Sequence, residues 1–240
     1  MPASEDVGAL STVVSALRYE VEAYLGQVIE SAAASVPHFP AIYDEDLYDA
    51  FEFVGLEYLQ LMRYTYQKQE LTWEAMAVLA GYGFGLCENY TDPNPCRNPH
   101  DPSDPFLLVY YTNSMLEVVF ADMQDAYYVS DHAQNDFSLG HDALHNNPKT
   151  DYYWAEVRNA LLRGLLSRTW EKPTKIILIG ESSGDIKFRH VLDDVLQEYY
   201  HQDKPPIYSD DPLFVGARGV AEFVRRAPYR PKPMKPSFFI

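Results

Sequence analysis

Cysteine is almost missing from this sequence: Cys87 and Cys96 are the only two in 240 residues. Their spacing excludes the CxxC arrangement of a zinc or thiol-redox site. The pair could close a small disulfide around ENYTDPNP, but a reducing compartment implies two free thiols. Bases are scarce too, 19 against 35 acids, for a formal charge of −16. Such a surface repels phosphate backbones, so nucleic acid and anionic membrane are poor partners. No run approaches the ~20 apolar residues of a membrane span, and no charged start followed by an apolar stretch opens the sequence. A soluble cytoplasmic protein is therefore expected. On that reading Asn89-Tyr90-Thr91 matches the glycosylation sequon only by chance.

What is present can fill a core: 47% of residues are apolar and 14% aromatic, with 19 tyrosines. Val7, Leu10, Val14, Leu17, Val21 and Leu25 recur at helical steps up to Gly26, which can stop the helix. VIESAAASV (28–36) suits a short buried strand, LYDAFEFVG a helix opened by Asp44 or Asp46, and LEYLQL another strand. A helix over 71–80 runs into GYGFGLC. Residues 92–105, dense in Pro, Asp and Asn, read as a loop or lid. Three β-type runs follow (106–111, 115–121, 126–130), then a helix over 151–168, the strand KIILIG (175–180), a helix over 185–200 and a last helix near 211–226. This mixture is an α/β pattern. It divides into one domain, 1–226, and a basic, proline-rich tail, 227–240.

Several stretches, in order, resemble the nucleotide-binding domain of the seventy-kilodalton heat-shock chaperones, in the actin-like ATPase (ribonuclease H-like) superfamily. VEAYLGQVIESAAASVPHFP, DLYDAFEFVGLEYLQL, WEAMAVLAGYGFGL, FSLGHDAL, IILIGESSGDIKFRHVL and DPLFVGARGVAEF are each similar to a segment of that domain. The resemblance implies a truncated member of the fold. The stretch between Leu144 and Lys175 is too short for the family's large helical lobe, and nothing matches its first, glycine-rich phosphate loop. The second phosphate loop, Asp-Leu-Gly-Gly-Gly-Thr-Phe-Asp, falls on YYTNSMLE (110–117), so Tyr110 stands for an acid and Thr112, Asn113 and Ser114 for three glycines. Backbone N–H groups wrap a phosphate only where side chains leave them clear. In the adenosine motif Gly180 and Ser182 match, Glu181 replaces a glycine and Gly184 an arginine. A pseudo-ATPase without cofactor is implied.

Other chemistry has weaker support. Asp131-His132, Asp136 and His141-Asp142-His145 hold metal-ligand residue types without an HExxH pattern, and a solvated polar loop is the simpler reading. GESSGD puts Ser182 and Ser183 at a strand-to-helix turn, but its second glycine comes one residue late for G-x-S-x-G, so a helix cap is favoured. Tyr43, Tyr48, Tyr58, Tyr64, Tyr66, Tyr110 and Tyr111 are either ordinary packing or the walls of a relined cleft for an apolar small molecule. The second option gives a cofactor-independent cyclase or isomerase of specialised metabolism. In it Tyr110, Thr112, Asn113, Glu74 and His38 polarise substrate, and Tyr43, Tyr64, Tyr66, Tyr111, Ser182 and Ser183 bind it. The alternative is a non-catalytic, chaperone-like adaptor for protein partners. A filled cleft beside an exposed apolar patch would favour the adaptor. The missing lobe leaves room for a homodimer.

Overall fold

The structure, a computed structural model, describes residues 4–39, 42–61, 71–92, 102–146, 150–168, 172–201 and 203–229. Its centre is a five-stranded sheet built from β3 (Asp104–Tyr111), β4 (Leu116–Asp125), β5 (Tyr128–Asp136), β6 (Lys175–Ile179) and β7 (Ile207–Tyr208), in the order β5-β4-β3-β6-β7. β3, β4 and β5 form an antiparallel meander, whereas β6 and β7 run parallel to β3. The β-branched and aliphatic run KIILI is buried along its whole length, as expected of a strand covered on both faces.

Alternation along β3 assigns its side chains to two cores. Leu107, Val109 and Tyr111 face α5 (Thr150–Leu166) and α6 (Ile186–Tyr200), where Val157, Leu161, Phe188 and Val195 are fully buried. Phe106, Leu108 and Tyr110 face α3 (Glu74–Gly81) and α7 (Val215–Arg226). The N-terminal part forms a third, smaller cluster. In it α1 (Glu5–Leu25) and α2 (Asp44–Phe53) pack beside the short parallel pair β1 (Ser31–Ala32) and β2 (Glu57–Tyr58).

Helix ends follow the chemistry of their caps. Ser4 Oγ accepts the Val7 N–H, and Gly26 closes α1 at φ 68°. Asp185, one of the cap candidates of GESSGD, accepts the Phe188 N–H at 2.8 Å and so opens α6. Asp185→Ala should lower stability by about 1 kcal/mol, read as a shift of the urea midpoint with unchanged slope. α2 differs from expectation: its N-cap is Tyr43, which makes no side-chain cap bond, and Asp44 lies in the first turn. Among the strands and α-helices, β7 and α4 (His141–Asn146) have no counterpart in the sequence reading. Both are too short for a hydrophobic period to register.

The expected free thiols are corrected: Cys87 is disulfide-bonded. Of the expected lid, 93–101 lies outside the described residues, as does the tail from 230, while Asp104 and Pro105 belong to β3. No helix among the described residues is long and apolar enough to cross a membrane.

Candidate functional site

The turn between β3 and β4, where the resemblance locates a phosphate loop, is closed by the protein itself. Thr112 Oγ1 accepts the N–H groups of Ser114 and Met115 at 3.2 and 3.0 Å, folding the turn over its own first side chain. The first residues of α4 donate outward to it, His141 N–H to Thr112 O and Asp142 N–H to Asn113 O, both at 2.9 Å. Gly140 allows this approach, because a Cβ there would lie 2.2 Å from the Ser114 carbonyl carbon. The β6–α6 turn closes the other side. Glu181 Oε1 accepts the Asn113 backbone N–H at 2.8 Å, and Ser182 Oγ donates to Asn113 Oδ1 at 2.8 Å. A carboxylate of the chain thus takes the backbone donor that an anionic ligand would need. Glycine is required at 180, with φ 95° and a Cβ position 2.4 Å from Tyr111 O.

Beside this turn, on the α3/α7 face, a polar row crosses the sheet. Tyr110, Glu117 and Asn135 are register partners on β3, β4 and β5. The segment 36–38 covers the row, its backbone paired to residues 72–74 through Val36 N–H to Thr72 O and Glu74 N–H to Val36 O. His38 stacks on Trp73 at 4.9 Å. Its N–H donates to Glu117 Oε1 at 3.2 Å, its Nδ1 lies 3.4 Å from the same oxygen, and its carbonyl accepts Asn135 Nδ2 at 2.7 Å.

Glu74 opens α3 close to this cluster. Burial raises its pKa to about 7, the Glu117 charge adds to the rise, and His38 opposes it. Burial, then Glu74, Glu181 and Glu117, push the Tyr110 hydroxyl above its ordinary range. The arrangement holds an acid that keeps its proton near neutral pH, a carboxylate engaged by His38 and a phenol that stays neutral. Among the described residues, no group of three or more His, Cys, Asp or Glu is disposed to hold a metal ion.

Of the residues singled out in the sequence, Tyr110, Glu74 and His38 come together here, with Thr112, Asn113 and Ser182 in the adjoining turn. Tyr111 does not join them. Its ring stacks on Phe188 at 4.2 Å on the opposite face, and its hydroxyl lies 2.8 Å from that of Tyr153. The two-residue period of a strand makes adjacent tyrosines point apart. Ser183 is buried at 1% exposure, and Tyr43 is 61% exposed at the start of α2. Tyr64 and Tyr66 lie outside the described residues. Glu117 is the member of this cluster that the sequence reading did not single out, although a single acid inside the apolar run LEVVF is a detectable signal.

A second feature lies on α1. Its inward line is Val7, Leu10, Ser11, Val14 and Arg18, and not the expected apolar series continuing through Leu17, Val21 and Leu25. Arg18 is the only base of the helix, and it is turned inward. Its guanidinium donates to Glu22, to Val54 O at 2.5 Å and to Ile29 O at 3.4 Å. The outward face carries Ala9, Val13, Ala16, Glu20 and Ala23, all exposed and spaced by alternating steps of four and three. Leu17, 62% exposed, and Tyr24, 90% exposed, flank it. Between α1 and the end of α2 runs an open groove of about 690 Å³, lined by Gly8, Ser11, Ser15, Tyr19, Phe53 and Val54 among others.

Neither a protein-family model nor a curated protein matches this chain.

Proposed function

We propose that the chain is a degenerate relative of the chaperone nucleotide-binding domain, in the actin-like ATPase lineage, and that it works as a non-catalytic adaptor holding a protein partner along α1. What supports the lineage is the collinear order of the resembling motifs, and the mixed α/β sheet is compatible with it. The pseudo-ATPase reading draws support from Glu181, whose carboxylate competes for the turn that a phosphate would enter.

The α1 surface is the observation that carries the adaptor reading. Apolar residues at the coiled-coil period, with alanines that permit close approach, suit an incoming helix. With Arg18 turned inward, the charges left on that side are Glu5, Asp6 and Glu20, so the complementary partner is a basic amphipathic helix. The same acids, on a chain of net charge −16, oppose a second copy.

Calorimetry with an 18-residue Leu/Lys amphipathic helix as probe should give micromolar binding. Leu17→Asp combined with Phe53→Asp, both exposed positions, should weaken it at least tenfold. Magnesium ATP should give no heat of binding. Equal binding of a Leu/Glu helix, or indifference to the double substitution, would overturn the assignment. Self-association that the same substitutions abolish would give the face to a second copy.

The other reading, an apolar small molecule turned over by a cofactor-independent cyclase or isomerase, has one observation in its favour. Glu74, with a pKa raised to about 7, is a suitable proton donor beside Tyr110. Turnover of an organic substrate that falls in Glu74→Gln and ignores the α1 substitutions would support it.

A further inference from the structure

The structure joins two features that the sequence leaves apart, a disulfide and a sequon. Cys87 is disulfide-bonded, and Cys96 is the only other cysteine in the chain. Such a bond persists in the secretory lumen or outside the cell and is reduced in the cytosol. Two residues after Cys87 comes Asn89-Tyr90-Thr91, with tyrosine and not proline in the middle. The compartment that keeps the disulfide is the one in which asparagine is glycosylated. We infer that Asn89 is an N-glycosylation site and that the chain matures in an oxidising compartment, contrary to the cytoplasmic expectation.

The local geometry suits a sugar. Residues 88–91 form a turn closed by Asp92 N–H to Asn89 O at 3.1 Å. Asn89 and Thr91 are both exposed, and Thr91 Oγ1 donates to Asn89 Oδ1 at 2.9 Å. That bond uses the amide oxygen and leaves Nδ2 facing no partner among the described residues. Tyr90 anchors the turn to the end of α7. The guanidinium groups of Arg225 and Arg226 lie 5.2 and 4.7 Å from its ring centre, and Tyr229 meets its edge at 5.4 Å. The middle residue thus faces the protein while its two neighbours face water, so a glycan can stand outward without disturbing the fold.

In the reaction, Asn89 Nδ2 attacks the anomeric carbon of an oligosaccharide carried on a lipid diphosphate. The new bond is C–N and the broken bond is sugar–phosphate. Lipid diphosphate leaves, and the amide proton passes to a base of the transferase. No oxidant is needed for this step.

The test uses the full chain from the cells that make it. Its intact mass should exceed the 27.5 kDa of the polypeptide by that of a glycan, and a peptide N-glycosidase should remove the excess while converting Asn89 to aspartate. Asn89→Gln and Thr91→Ala should each abolish the excess, and Thr91→Ser should retain it. Both cysteines should resist alkylation until a reductant is added. An unmodified Asn89, an excess mass that survives in Thr91→Ala, or alkylation of both cysteines without reductant would each overturn the inference.

Discussion

Glu74→Gln should stabilise the fold at pH 8 by about 3 kcal/mol relative to the natural chain, and by less than ~1 kcal/mol at pH 5. The carboxyl of Glu74 titrates at an ordinary 4.5 in the unfolded chain and at about 7 when folded, first because it is buried and then because Glu117 repels its charge. Below pH 4.5 both states hold the proton, so folding incurs no penalty from this group. Between pH 4.5 and 7 the unfolded chain releases the proton while the folded chain retains it, and stability falls. Above pH 7 both states are ionised and the loss is complete. Glutamine keeps the shape and removes the titration. Denaturant unfolding of both proteins from pH 5 to 8 should therefore give curves that diverge as pH rises. At pH 8 the melting temperatures should differ by roughly 6–12 °C for a chain of this size. Parallel curves would show that the acid is solvated in solution. Glu117→Gln should reproduce only part of the divergence, since repulsion is the second cause and burial the first.

The second large effect is steric. α3 and α7 touch backbone to backbone. A Cβ at Gly219 would lie 1.6 Å from the carbonyl oxygen of Ala77, and one at Gly81 would lie 2.0 Å from that of Val215. Helices cannot yield as a flexible side chain can, so even one methyl must push α7 off the sheet. Val215, Val220 and Phe223, buried at 1%, 8% and 1% exposure, would lose their packing together. Gly219→Ala should cost about 3 kcal/mol, the upper end for overpacking, and Gly219→Leu should prevent folding. Gly184 is the internal control. Nothing lies within 4 Å of its Cβ position, and Gly184→Ala should change stability by less than ~0.5 kcal/mol. Circular dichroism melts of the three variants decide the matter, and a normal melt for Gly219→Leu would refute the close contact.

The central elements were legible because their signals are local. KIILI is a buried strand by composition, GESSGD carries its own cap in Asp185, and Ser4 and Gly26 bracket a helix. The mixed α/β class followed from these elements. The functional surfaces were harder to read because each depends on contacts distant in sequence. The apolar periodicity of α1 suggested that Leu17 faced inward, yet the helix meets too little protein to bury that series. Arg18 fills the space by reaching the carbonyls of Ile29 and Val54. Glu117 acquires its meaning from His38, 79 positions away, and Glu181 from Asn113, 68 positions away. Neither partner can be guessed from its neighbours in the chain. Tyr110 and Tyr111 point to opposite faces because successive strand residues alternate, so like neighbours in sequence do not share a site.

The bond from Glu181 to Asn113 also has a mechanical consequence. It ties the tip of the β3–β4 hairpin to the start of α6, and the paired Ser182–Asn113 bond gives that tie a second point of attachment. The hairpin tip and the start of α6 therefore cannot part without breaking two hydrogen bonds, so the two turns shift together or not at all.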